Sequence, residues 1–338
     1  MKRQVVAFLG QRQVQIVDEM LPPLEPDDVL VATVVSGICA GTELMVYRGD
    51  APIGLSIDET IAALAGDFSY PLSYGYANVG RVVARGPSVG PEWHNRLVFA
   101  FQPHATHFVA PVANVVPIDF EPRLAVLLPS METAVNLVLD GRPLVGERVV
   151  VVGQGVVGLL TTALLNRFPL NDLVVVEPLP SRQEWARCFG AREAGGPPDV
   201  GGGWLNERLG DERADLVYEL SGNPAALNLA IEATGYAGRV VIGSWYGQAS
   251  SSLSLGGRFH RSKMSLVASQ VSHLAPGLTG RWSKGRRLTT AVAHLRTLQP
   301  DRLITHEIAF AEVATAFQLL DERPDEALQV VLRYNDAE

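Results

Sequence analysis

The chain has 338 residues, 47% of them hydrophobic, enough to fill two domain cores. Its 36 acids against 28 bases give a net charge of −8, which argues against a duplex nucleic-acid binder, normally basic. Two cysteines, Cys39 and Cys188, exclude a disulfide framework and a four-thiolate zinc lobe, and no stretch approaches the apolar length of a membrane span.

Lys2-Arg3 leads into a short strand-like run, not a long apolar segment, so the expectation is a soluble, cytoplasmic protein without a signal peptide. Residues 1–120 read as mostly β, with short runs at Val29–Val35, Val79–Ala84, Leu97–Phe101 and His107–Val109 between Pro and Gly punctuation. Leu55–Gly66 has apolar residues at Leu55, Ile57, Ile61 and Leu64 and predicts a helix. An apolar helix over Leu124–Leu139 follows, closed by Gly141.

From Glu147 strands alternate with helices. Arg148–Val152 is an uninterrupted β-branched run, as a parallel strand buried on both faces requires. A helix over Val156–Phe168 stops at Pro169, and strands follow at Leu173–Glu177, Asp215–Leu220, Arg239–Ile242 and Met264–Ala268. A helix over Ala225–Ala233 separates two of them. This alternation predicts an α/β fold with a doubly wound parallel sheet. Gly195-Gly196-Pro197-Pro198 through Gly201-Gly202-Gly203 reads as a surface loop. The tail predicts a helix at Lys284–Leu298, a strand at Ile304–Phe310, a helix at Val313–Leu320 and a strand at Ala327–Arg333.

The sharpest motif is Gly153-Gln154-Gly155-Val156-Val157-Gly158, which follows a strand, opens a helix, and precedes an acid, Glu177, at the end of the next strand. Gly153 permits the tight turn, Gly155 lets a pyrophosphate approach the backbone, and Gly158 lets helix and strand pack closely. The helix N-terminus favours the phosphate charge. Glu177 would accept hydrogen bonds from the adenosine ribose hydroxyls and would repel a 2′-phosphate, so NAD is favoured over NADP; Arg182 is the nearest base that could cover the adenine or meet a 2′-phosphate. Ser221-Gly222 and Gly243-Ser244 follow later strands, where either pair could touch the nicotinamide half or serve as a plain turn.

Ser36-Gly37-Ile38-Cys39-Ala40-Gly41-Thr42-Glu43, Tyr74-Gly75-Tyr76-Ala77-Asn78-Val79-Gly80, the glycine turn and Glu326-Ala327-Leu328-Gln329-Val330-Val331-Leu332 together resemble the medium-chain dehydrogenase/reductase superfamily over nearly the whole chain. The first two resemble a zinc-lacking branch that includes bacteriochlorophyllide hydroxyethyl dehydrogenase-like proteins. The resemblance implies a GroES-like catalytic domain over 1–121, completed by 272–338, around a Rossmann domain over 122–271. It also implies a homodimer or homotetramer, commonly paired through the last Rossmann strand, acting on a small-molecule substrate.

The superfamily's zinc enzymes hold metal with a Cys before Thr-Asp, a Gly-His-Glu motif and a later Cys or acid. Here Cys39 sits one residue further from Thr42-Glu43, Tyr76 and Ala77 stand where His and Glu would, and Glu132 fits only with a slipped register. A lone thiol does not supply the three ligands of a catalytic zinc, so none is expected. Hydroxyl donors must then stabilise the substrate oxygen. Thr42 and Tyr76 are the candidates, and His104, after the kink at Pro103, could line the cleft; His107 lies three residues on, on the opposite face of a strand-like segment. Glu43 is expected to support its loop through Arg48 or Arg81, and Cys39 to be a small buried filler.

A basic cluster around Arg258, His260, Arg261 and Lys263 could bind a substrate or cofactor anion through Arg258 or Arg261. Arg281, Lys284, Arg286 and Arg287 read instead as a solvated helix face. The expected function is zinc-independent hydride transfer between NAD(P)(H) and an alcohol/ketone pair. Reduction of an activated C=C bond, as in quinone and enoyl reductases, and a non-catalytic dinucleotide-binding protein are the alternatives.

Overall fold

The computed structural model describes residues 1–197 and 203–334. In chain order the first elements are β1 (Lys2–Gly10), β2 (Gln13–Met20), β3 (Asp28–Ile38), α1 (Ala40–Arg48), β4 (Leu72–Ser73) and β5 (Asn78–Arg85). Then come β6 (Leu97–Ala100), β7 (His107–Pro111), β8 (Val115–Pro117), α2 (Pro122–Ala125) and α3 (Leu128–Gly141). The middle of the chain holds β9 (Arg148–Val152), α4 (Val156–Leu165), β10 (Asp172–Val176), α5 (Pro180–Cys188), β11 (Glu193–Gly195) and α6 (Gly203–Leu209). It continues with β12 (Ala214–Glu219), α7 (Ala226–Ala233), β13 (Thr234–Ile242), β14 (Ser265–Ala268) and α8 (Lys284–Leu298), and the tail adds β15 (Ile304–Ala309), α9 (Val313–Glu322) and β16 (Gln329–Arg333).

The chain divides into two compact units, Met1–Pro129 with Leu295–Glu338, and Ser130–His294. The divisions thus fall at 129/130 and 294/295, not at 121/122 and 271/272. Residues 272–294 group with the inserted unit because α8 is tied to α3 by a buried ion pair described below.

In the first unit β3 is the hub, antiparallel to β5, β7 and β16. The register Val330↔Ile38 to Arg333↔Val35 brings the C-terminal strand into the N-terminal sheet, and Val29, Val31, Val82, Val98 and Phe108 fill one of its cores. The inserted unit is a six-stranded parallel sheet in the order β11-β10-β9-β12-β13-β14. Its β9 and β10, each with a run of valines, are buried on both faces, as strands covered by helices on either side must be. The strand order reverses between β9 and β12, so the crevice at their C-terminal ends is the place where such sheets bind ligands.

Two expectations fail against this fold, and a third falls partly on residues that are not described. Leu55–Gly66 is not a helix: a single 3₁₀ turn, Ala62–Leu64, lies within an irregular loop where Leu55 is exposed. Turn chemistry overrides the apolar spacing there, because Gly54 and Gly66 take positive φ and the Asp58 carboxylate captures the Thr60 N–H at 2.6 Å. The proposed glycine loop lies partly outside the described residues, at Pro198 and Gly201-Gly202. Arg287 is not on a solvated face. It is 2% exposed, and its Nε and one terminal nitrogen donate to Glu132 Oε1 at 3.0 and 2.9 Å. The other donors reach Asn136 Oδ1 at 2.7 Å and the Val271 carbonyl at 2.6 Å.

α3 presents Glu132, Asn136 and Asp140 at successive turns of one face. Asn136 donates to Asp140 and to Ser269, and Ser269 donates to Asp140 at 2.7 Å. Burial pushes the Glu132 carboxyl up, and the Arg287 guanidinium pulls it back toward the charged form. Arg287→Ala removes the cation and leaves this carboxylate buried, a loss of about 3–5 kcal/mol. Denaturant unfolding will show a lowered midpoint for Arg287→Ala and a smaller loss for the double variant Arg287→Met/Glu132→Leu. Equal losses would contradict the pairing.

Candidate functional site

Each unit presents its own constellation. In the inserted unit, β9 runs into Gly153, whose φ of +92° suits glycine and whose N–H donates to the Val176 carbonyl at 2.8 Å. A Cβ on Gly153 would come 2.5 Å from Ser221 Cα, and one on Gly158 would collide with the Gly153 carbonyl oxygen. Both glycines therefore serve close packing of strand, turn and helix. Gly155 differs: a Cβ there meets nothing within 4 Å. It stands at the N-cap of α4 without a side-chain cap, where Val156 and Val157 open the helix and the first-turn N–H groups lack intrahelical partners. The space beside it fits an anion held by backbone, as a dinucleotide pyrophosphate requires.

Glu177 is 3% exposed and follows β10 directly. Its Oε2 accepts the Gln154 N–H at 2.7 Å and its Oε1 accepts the Leu179 N–H at 3.0 Å. Each oxygen keeps lone-pair capacity for a ribose hydroxyl while its orientation is fixed from the protein side. The Gln154 side chain, expected among cofactor contacts, is fully buried, donating to the Gly153 carbonyl and accepting from Thr162. It stiffens the turn from behind. Arg182 is half-buried on α5.

Ser221, Gly222, Gly243 and Ser244 lie together at the C-terminal ends of β12 and β13. The Gly222 N–H donates to the Ser244 hydroxyl at 2.9 Å. A Cβ on Gly243 would meet Leu137 and Leu220 at 2.6 Å, so that glycine is needed for packing. Glu219, which ends β12, went unnoticed in the sequence; it is fully buried and gathers Ser221 and Tyr246. The signal was available, because Glu219, like Glu177, is an acid closing a buried strand.

Arg258 lies away from the glycine turn and does not face a cofactor anion there. It donates to the Thr234 carbonyl at 2.8 Å, at the start of β13 and hence at the opposite edge of the sheet from Gly153–Gly158. It satisfies a backbone acceptor there. Arg261 is exposed.

In the first unit, Thr42 near the start of α1 and Tyr76 before β5 are brought together, their hydroxyls sharing a hydrogen bond. Burial pushes the Tyr76 phenol well up, so it stays protonated and able to donate. Cys39 occupies the N-cap position of α1 without a side-chain capping bond, and burial raises its thiol too.

His104 is fully buried, with both ring nitrogens engaged: Nε2 with Glu43 Oε2 at 2.8 Å and Nδ1 with Ser36 Oγ at 2.7 Å. Ser36 in turn meets the Tyr334 hydroxyl at 2.9 Å. Every group is satisfied when Tyr334 donates to Ser36, Ser36 to Nδ1, and Nε2–H to the Glu43 carboxylate. His104 therefore has no nitrogen left for a substrate and lies before β7, which begins at His107. Glu43 does not pair with Arg48 or Arg81: Arg48 binds Asp321 and Arg81 donates to the Asn95 carbonyl. Gly75 accommodates the imidazole, since a Cβ there would come 2.7 Å from the ring.

Among the described residues, no group of three or more His, Cys, Asp or Glu side chains is placed to hold a metal ion. Cys39 stands beside hydroxyls, and Glu132 is occupied by Arg287. The residues do not fit the zinc site of zinc-type alcohol dehydrogenases.

The glycines give a contrast to measure. Gly155→Ala fills only the open space, so it will leave the thermal midpoint near wild type yet weaken NADH binding by about tenfold or more. Gly158→Ala collides with the turn and will lower the thermal midpoint as well. If Gly155→Ala bound NADH as wild type does, the space beside Gly155 would not be the pyrophosphate site.

No protein-family model matches the chain. A D-guloside 3-dehydrogenase of Escherichia coli K12 is 27% identical over 211 residues, spanning 61% of this chain and 60% of that protein. An L-threonine 3-dehydrogenase of Streptomyces coelicolor is 27% identical over 312 residues, spanning 78% of this chain and 87% of that protein. Among solved structures, the alcohol dehydrogenase rspB of E. coli CFT073, complexed with NADH, matches with a TM-score of 0.80 at 19% identity, over 98% of this chain and 99% of its own. The fold of this chain is that of the medium-chain alcohol dehydrogenases, a GroES-like unit with an inserted Rossmann unit.

Proposed function

We propose that the protein is a zinc-independent oxidoreductase that moves hydride between NAD(H) and a secondary alcohol/ketone pair. The observation that carries this reading is the Gly153–Gly158 turn closed by Glu177, whose two oxygens are each held by a backbone N–H. A carboxylate at the adenosine ribose favours two free hydroxyls over a 2′-phosphate, hence NAD. When bound, the nicotinamide supplies the hydride acceptor or donor.

The chain supplies the rest. Backbone at the start of α4 binds the pyrophosphate, and Glu177 orients the adenosine end. The Thr42–Tyr76 hydroxyl pair holds the proton that stabilises the substrate oxygen, the task zinc performs in metal-dependent relatives. Among the described residues, Cys39 stands beside hydroxyls and no three-ligand donor set forms around it, which supports a zinc-independent reading. The relatives named above act, by their names, at a 3-position of a guloside and of L-threonine, each a secondary alcohol next to another polar substituent. That is the substrate class we assign. Association of identical chains through β14 belongs to the same reading.

The test is turnover of NAD⁺ with L-threonine, (2R,3R)-butanediol, hexitols and a methyl guloside, before and after dialysis against a strong chelator. We expect NADH formation with at least one of these, unchanged by the chelator. Thr42→Val and Tyr76→Phe will each lower kcat by roughly 10²–10³-fold with little change in NADH binding. Activity lost to the chelator and restored by zinc would overturn the metal-free reading, and full activity in both variants would remove the hydroxyl pair from the chemistry.

A further inference from the structure

The strand β12 ends on a buried carboxylate that accepts from hydroxyl and backbone donors. Glu219 Oε1 accepts the Ser221 N–H at 2.9 Å and the Ser221 hydroxyl, and Oε2 accepts the Tyr246 hydroxyl. Ser244 then links the two strand ends, accepting the Gly222 N–H and donating to the Glu219 carbonyl at 3.4 Å. A buried carboxylate is costly unless donors converge on it, and here three do. Burial, reinforced by Glu219, pushes the Tyr246 phenol up, so it remains a donor.

The position of this cluster gives it a role. β12 is the neighbour of β9 on the side away from β10. A dinucleotide with its pyrophosphate on the turn after β9 and its adenosine ribose on Glu177 after β10 must send its other half across the ends of β12 and β13. At that edge Gly222 has a φ of +72°, and a Cβ on it would meet nothing within 4 Å, the same openness as at Gly155. What surrounds this open backbone is fixed by Glu219.

We propose that Glu219 is a positioning residue for the nicotinamide–ribose half of the cofactor, holding the Ser221-Gly222 turn with one carboxylate oxygen and Tyr246 with the other. The proposal rests on the dinucleotide reading above. The chemistry requires a carboxylate. An amide offers one acceptor oxygen, so in Glu219→Gln either the serine or the tyrosine faces an NH₂ group and loses its acceptor.

The experiment is calorimetric titration of the full-length protein with NADH and with ADP, which carries the adenosine and both phosphates but lacks the second ribose and the nicotinamide. Glu219→Gln is expected to weaken NADH by about tenfold or more, 1.4 kcal/mol, and to leave ADP within about twofold of wild type. Tyr246→Phe, a smaller change at a partly buried position, is expected to weaken NADH in the same selective way and covers the case in which Glu219→Gln does not fold. Equal weakening of NADH and ADP would make the cluster a general structural prop and overturn the proposal, as would unchanged NADH binding in Tyr246→Phe and Glu219→Gln together. Glu177→Ala separates the parent reading: it must weaken both ligands, and if it weakens neither, the dinucleotide assignment falls and this proposal with it.

Discussion

A hydrogen atom at Gly158, where any other residue has a carbon, lets α4 approach the Gly153 carbonyl and so close on the end of β9. Much of the candidate cofactor site depends on that approach. It sets the first turn of α4 at the sheet edge and places Gly155 where its missing side chain leaves open space. It also brings the Gln154 N–H within 2.7 Å of the Glu177 carboxylate, linking the turn after one strand to the acid after the next. The inserted unit supports this turn with strands buried on both faces, whose packing leaves little freedom for the strand ends to shift.

Buried carboxylates organise the molecule, and each is stabilised differently. Glu132 is paired with a buried guanidinium and joins α3 to α8. Glu43 is held by an imidazole and a backbone N–H, and so ties α1 to the segment before β7. Glu177 and Glu219 instead accept N–H and O–H donors at strand ends. The first two hold elements together. The last two lie at the C-terminal edge of the sheet, where an acceptor-rich group orients a polar ligand or the turn that meets one. A buried ion pair is a weak source of net stability but a strong constraint on geometry, because breaking it strands a charge.

The sequence discloses local structure well and distant pairing poorly. The valine runs of β9 and β10, the glycine turn and Glu177 are legible because strand, turn and helix follow one another within about thirty residues, as the dinucleotide-binding fingerprint does. The spacing of Gly153, Gly155 and Gly158 is read from sequence alone, and a Cβ would collide with backbone at the first and last of them but meet open space at Gly155. Arg287 and Glu132 are 155 residues apart, and nothing in either neighbourhood marks them as partners; a row of basic residues on a helix looks solvated until the opposing helix is placed. The surroundings of His104 are hidden for the same reason, since its partners Ser36 and Glu43 come from elements more than sixty residues away. In Leu55–Gly66 the apolar spacing was real, but glycines and an aspartate turn settled the backbone. Arg258 shows the remaining limit: the sequence shows a base near the last strand, and only the sheet topology shows that it sits at the edge away from the turn.

The central claim is that Glu177 receives a ribose with both hydroxyls free. It is tested most directly by titrating the purified protein with NADH and with NADPH under the same conditions. NADH is expected to bind at least about tenfold more tightly, since the 2′-phosphate would face a carboxylate fixed by two backbone N–H groups. Equal affinity, tighter binding of NADPH, or no binding of either would contradict it.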